Sequence, residues 1–408
     1  MKLEYYIPFE KDQLLNDVVS DFNFDSENKK DLTILFKILE HYFHNDGFVQ
    51  VQSVKRNYFA FDPDKTNFER QEYFKKCNYG TFIANLKEIL IRGNYKELDK
   101  KDLEDALNNS DLVGLQLKIN FDYFNEYKIF VRGEENVTET FKHNYFWRKE
   151  KEIQYFDRVV VLIEYKPEEY FVSNGFDISK LPFSPGTSLL KLFKRVPKND
   201  LETIFPNAIP RMSVKDKLLL WGPALIGGVP LIATKVAPPI ITIYNSYNEN
   251  GALVGDIAKK SLFQGLTALV LIGAYIFKQY KRFENKKIHF AKMLSDSLYF
   301  KNLANNSGVF PALIDAAEDE ELKETILSYV FLYKSNIPLS AEELDKSIEE
   351  WFLQRYNKKL DFDIKDALIK LSNLGLGKEV DGKWSVVPIS QALICVDKIW
   401  DDYFKFNI

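Results

Sequence analysis

The sequence predicts an α+β protein. It has an N-terminal helical plus antiparallel β domain, a two-helix transmembrane hairpin, and a C-terminal helical, winged-helix-like domain. Three observations predict this. Apolar residues recur at helical spacing over the first hundred positions and again after residue 285. Between residues 112 and 165 the period drops to two. Two uncharged windows of 17 residues, 218–234 and 261–277, stand out from a chain in which 28% of residues are charged.

The helices come first. Leu14, Leu15, Val18, Val19 and Phe22 share one face over 12–22. Leu32, Leu35, Phe36, Leu39, Tyr42 and Phe43 do the same over 31–45, where Gly47 reads as a C-terminal stop. A further helix covers 81–92, with Phe82, Leu86, Ile89 and Leu90 inward and Gly93 behind it. Four strands follow at short spacing, 112–120, 127–132, 141–148 and 157–165, and suggest an antiparallel meander. The last, "DRVVVLIEY", is a β-branched run suited to a central position buried on both faces.

"LPFSPGT" at 181–187 reads as a linker, and Asn199 with Glu202 as a capping box that Pro206 terminates. The predicted domains are therefore 1–185 (α+β), 186–217 (a basic membrane-proximal segment), 218–277 (the hairpin, with spans of about 218–236 and 260–278) and 278–408. In the last of these, Ser340 and Glu343 form a capping box. A second helix runs over 362–374, and "KEVDGKWSV" carries the Asp381-Gly382 pair of a type I′ hairpin. Helices followed by a two-stranded wing outline a winged-helix module, and an amphipathic helix over 390–404 closes the chain.

The membrane reading rests on the two windows. Each covers roughly 25 Å of helix at about 1.5 Å per residue, short of the ~30 Å hydrocarbon layer. Flanking lysines extend that reach by snorkelling. The basic flanks are Lys191, Lys194, Arg195, Lys215 and Lys217 before the hairpin, Lys259 and Lys260 within its connector, and Lys278, Lys281 and Arg282 after it. By the positive-inside rule both termini are cytoplasmic, in an inner or cytoplasmic membrane. Gly222, Gly227, Gly228, Gly265 and Gly273 would permit close helix packing. The expected partners are the lipid bilayer, further copies of the chain as a homo-oligomer, and a cytoplasmic protein.

The residues at several places resemble a known family. "YIPF" at 6–9, "VRGEE" at 131–135, "DRVVVLIEY" at 157–165 and "LKLFKRVPKNDLETIFPNAIPRM" at 190–212 look like domain-of-unknown-function family 3754. So do 298–333, 344–352 and 361–371. That family includes a mitochondrial inner-membrane relative, transmembrane protein 143. The resemblance implies two spanning segments and brings no catalytic residues, because the family has no established role. The N-terminal residues read as lacking the relative's presequence, and none is expected.

Bulk properties exclude several functions. The net charge of −4 speaks against a general nucleic-acid binder. Cys77 and Cys395 read as buried thiols of a reducing compartment, and the N-terminus as neither a secretory signal nor a transit peptide. The simplest origin is bacterial. No phosphate loop, dinucleotide fingerprint, HExxH or GxSxG is present, so no cofactor, no resident metal and no enzyme activity are expected.

His41 and His44 are spaced to share a metal, but read better as ordinary helix residues, and "EDEELKE" at 318–324 as a solvated helix face. Arg132, Glu134, Asp157 and Arg158 form either a charged site or ion pairs steadying the sheet. The presumed recognition helix carries Asp361, Asp363 and Asp366 against Lys365 and Lys370, which favours protein over DNA. The functional expectation is a membrane-anchored scaffold or regulatory protein. The alternatives are an oligomeric pore and a soluble protein with a buried helical hairpin.

Overall fold

The computed structural model describes residues 3–74, 77–99, 103, 116–144, 147–211 and 256–403, with 218, 222, 226, 229–238, 240, 241, 244 and 245. In chain order the elements are β1 (Leu3–Glu4), α1 (Lys11–Asp21), α2 (Ser26–Tyr58), α3 (Asn67–Phe74), α4 (Tyr79–Arg92), β2 (Lys96–Glu97), β3 (Gln116–Lys118), β4 (Phe124–Asn144), β5 (Trp147–Tyr165), α5 (Glu168–Ser173), β6 (Ser188–Pro197) and β7 (Ile209–Arg211). Then come α6 (Asp256–Lys301), β8 (Asn302–Asn305), α7 (Val309–Ser335), α8 (Ala341–Tyr356), β9 (Lys359–Leu360), α9 (Ile364–Asn373), β10 (Gly377–Val380), β11 (Lys383–Val386) and α10 (Ile389–Asp402). They form two compact units. One holds Met1–Leu103, Phe121–Lys198 and Lys301–Ile408, and the other Glu104–Asn120 and Asn199–Phe300.

The first unit is built on a five-stranded antiparallel sheet, β2-β4-β5-β6-β8. β5 is central and buried on both faces through Val159, Val160, Val161, Leu162 and Ile163, as its β-branched run predicts. Two of the expected strands are one: 127–132 and 141–144 both lie in β4, whose ladder with β5 runs from Phe124↔Tyr165 to Asn144↔Trp147. The segment read as membrane-proximal supplies β6, which pairs with β5 from Tyr155↔Pro197 to Glu164↔Ser188. Its sequence alternates, so Leu190 and Leu192 point into the core and Lys191 does not.

The helices form two clusters, of which one packs on the sheet. Val54, Tyr58, Phe82, Leu86, Phe310 and Leu313 pack on the face formed by Phe130, Val160, Leu162, Leu190 and Leu192. The larger cluster joins Leu14, Leu35 and Leu39 to Leu327, Leu344, Ile348, Leu371 and Ala392, so both ends of the chain share one core. α7 runs through its middle. From Leu322 to Leu332 every residue is buried, because this helix is enclosed by its neighbours on all sides and has no solvent face there, its charged residues included.

α2 does not stop at Gly47 but continues to Tyr58. Gly47 is instead a point of close approach. A Cβ there would lie 1.9 Å from Glu318 Oε1 and 2.6 Å from Ile314 Cγ2 on α7. The capping box of Ser340 and Glu343 is formed, and Asp381 (φ 52°) and Gly382 (φ 75°) make the expected tight turn between β10 and β11. Cys77 and Cys395 are free thiols, partly rather than fully buried.

In the second unit β3 pairs with β7 through Leu117↔Pro210, so the strand expected at 112–120 belongs here; its residues 112–115 lie outside the described set. Leu201, Ile204 and Phe205 are buried, and Asn207 Nδ2 donates to the Asn120 carbonyl at 2.7 Å. α6 has 46 residues, so it is about 69 Å long at ~1.5 Å per residue.

The transmembrane expectation is overturned. Among the described residues no helix is long and apolar enough to cross a membrane. The second window is only the uncharged interior of α6, with Lys259 and Lys260 before it and Lys278, Lys281 and Arg282 after it. In the first, a three-residue helical turn, Val229–Leu231, passes into a π-helical stretch, Ile232–Val236, that contains Lys235. Most of 218–228 lies outside the described residues. The membrane anchor, the placement in an inner or cytoplasmic membrane with both termini cytoplasmic, and the functions built on the spans fall with it. Of the three functional readings, the one without spanning helices is favoured.

Candidate functional site

Three carboxylates on α7, Glu320, Glu321 and Glu324, are buried in the first unit. Glu321 meets Arg92, the last residue of α4, in a two-pronged pair: Arg92 Nε donates to Oε1 at 2.7 Å, and one terminal nitrogen to Oε2. The same guanidinium reaches Asp46 Oδ2 on α2 at 3.1 Å. Lys370 on α9 completes the group, with Glu324 at 3.2 Å, Glu321 at 3.4 Å and Asp366 at 2.5 Å. Burial works against the Lys370 ammonium, but these three carboxylates outweigh it and hold its pKa above the ordinary lysine value. Glu324 is the surplus anion. Burial, opposed by Lys370 and reinforced by Glu320 and Asp366, pushes its pKa up to about 8.

Asn94 links this network to the N-terminal strap. It adopts positive φ (56°) beyond the end of α4, and its Nδ2 donates to both Glu320 Oε1 and Glu324 Oε1 at 3.2 Å. Glu320 Oε1 also accepts from the Ile7 amide at 2.5 Å, and Lys323 Nζ donates to the Ile7 carbonyl at 3.2 Å. Burial raises the Glu320 pKa, with Lys323 and the Ile7 amide opposing.

Two cavities flank these charges. One, of about 590 Å³, lies between α2, α4 and α9, and is lined by Asp46, Arg92, Glu321, Asp366 and Lys370 with the exposed Ile91 and Ile369. The other, of about 320 Å³, is lined by Glu4, Tyr5, Asn94, Lys96, Val131, Arg132, Gly133 and Glu134.

The charged residues read from the strands divide. Arg158 pairs with Asp157 at 2.7 Å and Glu134 accepts from Gln154 Nε2 at 2.7 Å, which are sheet-steadying contacts. Arg132 differs. Its guanidinium lies over the rings of Tyr6 and Tyr95, 5.0 and 5.2 Å from their centroids, and its Nε is buried without a hydrogen-bond partner among the described residues. Its one hydrogen bond there is a long one, 3.5 Å, to the Gly93 carbonyl. Gly133 (φ 66°) makes this arrangement fit, since a Cβ would come within 2.9 Å of both Asp157 Cβ and Tyr6 Cε1.

The run 318–324 is not a solvated face: Glu320, Glu321, Lys323 and Glu324 are buried. The signal was its frame, with apolar stretches on both sides that leave the helix no polar stripe. His41 and His44 line a cavity of about 270 Å³ with Lys11, Glu40, Glu318 and Asp319, and His44 Nδ1 is 3.0 Å from Glu318 Oε2. No group of three or more His, Cys, Asp or Glu among the described residues is placed to hold a metal.

Of the basic flanks, Lys191, Lys194 and Arg195 lie on β6, and Lys259, Lys260, Lys278, Lys281 and Arg282 are exposed on α6, where Lys281 pairs with Glu284 at 2.6 Å. Lys215 and Lys217 lie outside the described residues, as do Gly227 and Gly228. Gly265 is buried, whereas a Cβ at Gly222 or Gly273 would meet nothing within 4 Å.

Residues 156–308 match the family described as "Protein of unknown function (DUF3754)", the family the sequence resembles. The match runs from β5 to the turn before α7, and so leaves Arg92, Arg132, Glu321 and Lys370 outside it. No solved structure matches the chain.

Proposed function

We propose that this member of a family of unknown function is a non-catalytic recognition protein, and that its C-terminal part is a winged-helix-like module binding a partner protein. The outline that supports the module is α8, α9 and the β10–β11 hairpin, with Leu339 bridging Trp384 as a third short strand. The observation that carries the function is the 590 Å³ groove, where the exposed Ile91 of α4 and Ile369 of α9 stand above a floor of paired charges. Apolar anchors over a rigid polar floor suit a protein segment that inserts an apolar side chain. Nucleic acid is disfavoured because Lys370, a cation of the presumed reading helix, is drawn inward onto three carboxylates, leaving Lys365 beside Asp363 and Asp366.

A photo-crosslinking residue at Ile369 tests this in cells, with one at the exposed Lys346 on α8 as control. The expected result is a discrete protein adduct from the first position only, lost on Ile91→Asp. Equal labelling from both positions, no adduct, or an adduct to nucleic acid refutes it.

Association between copies of the chain has its own support. Phe263, Val270, Leu271 and Phe277 on α6 are exposed, and apolar surface of that kind marks a contact site. Sedimentation equilibrium would show a complex of more than one chain that Leu271→Glu weakens; a monomer for both proteins sinks the reading.

A further inference from the structure

The cavity at the N-terminal strap holds a cation of the first unit, Arg132, whose Nε is buried without a hydrogen-bond partner among the described residues. Strap residues 4–6 reach it because β1 pairs with β9 in parallel, Leu3↔Lys359 and Glu4↔Leu360, and the Glu4 carbonyl accepts from the Asp361 amide at 2.7 Å. Tyr6 then lies over Gly133, where only a residue without Cβ leaves room. Arg132 is held over the Tyr6 and Tyr95 rings by this packing. Tyr6 and Tyr95 fix its plane, and its donors are not taken up by any carboxylate within ion-pair distance among the described residues. Lys96 sits on the adjoining wall, its ammonium 2.8 Å from the centroid of the Tyr5 ring, also with no carboxylate within ion-pair distance among the described residues.

Three other cations of the same unit are matched. Arg92, Lys370 and Arg158 all have short carboxylate partners. A guanidinium fixed in plane with its buried Nε unpaired is disfavoured unless something satisfies that donor. A planar fork of N–H groups is matched by two oxygens of one oxyanion, and a lysine alongside adds a point charge. Of the two carboxylates lining the cavity, Glu134 is engaged by Gln154.

We propose that this cavity binds a small oxyanion, with Arg132 gripping two of its oxygens and Lys96 contributing the second positive charge. The volume of about 320 Å³ limits the ligand to a small molecule, at the lower end of the range of roughly 300–1,000 Å³ for ligand pockets. The anion is a phosphoryl or a carboxylate group, since both present oxygens at the spacing of the guanidinium fork.

Titration calorimetry on the full chain, with inorganic phosphate in one arm and succinate in the other, tests the site and separates the two sources. Binding of one anion is expected, weakened by roughly tenfold or more in Arg132→Gln and in Lys96→Gln, and unchanged in Lys194→Gln on β6. Lys96 is exposed, so its variant keeps the test sound where Arg132→Gln unfolds. Absence of binding by both anions overturns the proposal. So does binding that neither variant at the cavity weakens, or that Lys194→Gln weakens equally. This outcome is independent of the Ile91–Ile369 groove.

Discussion

Replacing Glu324 by Gln should remove a specific pH dependence from the stability of this protein. Burial raises this carboxyl from the ordinary value of 4.5 to about 8 in the folded chain. In the unfolded chain it titrates near the ordinary value. Between those two limits the folded state binds one proton more than the unfolded state, so stability falls as pH rises and levels off above about pH 8. A shift of about 3.5 units at ~1.36 kcal/mol each sets a ceiling of about 5 kcal/mol. The surroundings relax as the carboxylate ionises, so about half of that ceiling is expected. Lys370 does not need Glu324 as a counter-ion, because Glu321 and Asp366 already face it. Urea unfolding of both proteins between about pH 5 and pH 9 isolates the effect as a difference, since every other titrating group is common to both. The variant should match the wild type within ~1 kcal/mol in acid and exceed it by ~2–3 kcal/mol in alkali. A difference that stays constant with pH, or that shrinks as pH rises, would refute the reasoning.

Three further outcomes follow from the packing. Lys370→Met should lower stability by ~1–3 kcal/mol in urea unfolding, because Asp366 loses its ion-pair partner and Glu321 is left to Arg92. Gly47→Ala should destabilise by ~1–3 kcal/mol despite the better helix former, since Ile314 Cγ2 would lie 2.6 Å from the new methyl group; an unchanged or raised melting temperature contradicts this. Tyr58→Phe should cost ~1–3 kcal/mol, because the Tyr58 hydroxyl donates to the buried Ser188 carbonyl at 2.5 Å, and hydrogen exchange at 188–190 should speed up with it.

How much of this was legible depended on whether the relevant partner lay nearby in sequence. The faces of α1 and α4, the buried run of β5, the Ser340–Glu343 box and the Asp381-Gly382 turn are local patterns, and each appears where its spacing places it. Gly47 fails for the opposite reason. Locally it resembles a helix stop, and only α7, more than 260 residues away, makes it a contact point within a continuing helix. β6 was hidden because a strand with Lys191, Lys194 and Arg195 on it looks like a basic flank until its ladder with β5 is known. The carboxylates of 318–324 were misjudged because charge density is the usual mark of a solvated face. Their partners, Arg92, Lys370, Asn94 and the Ile7 amide, come from three other places in the chain.

Those scattered partners explain why α7 can carry charge at its centre. A lone buried carboxylate costs far more than a packed apolar side chain returns, so each one must be met by donors fixed in advance. The chain supplies them from segments that are themselves held elsewhere. Arg92 and Asn94 lie at and just beyond the capped end of α4, Lys370 is on the last turn of α9, and the Ile7 amide is on a strap pinned by β9. The strap is therefore doubly constrained. One end is tied by the Glu4–Asp361 hydrogen bond, and the other by Ile7, whose amide donates to Glu320 and whose carbonyl accepts from Lys323. Between those ties Tyr6 is pressed onto Gly133, and Arg132 is left with a fixed plane and an Nε that has no hydrogen-bond partner among the described residues. The buried carboxylates of α7 and this arginine of β4 are thus two results of one constraint: the network that satisfies Glu320 also positions the strap that forms the cavity wall.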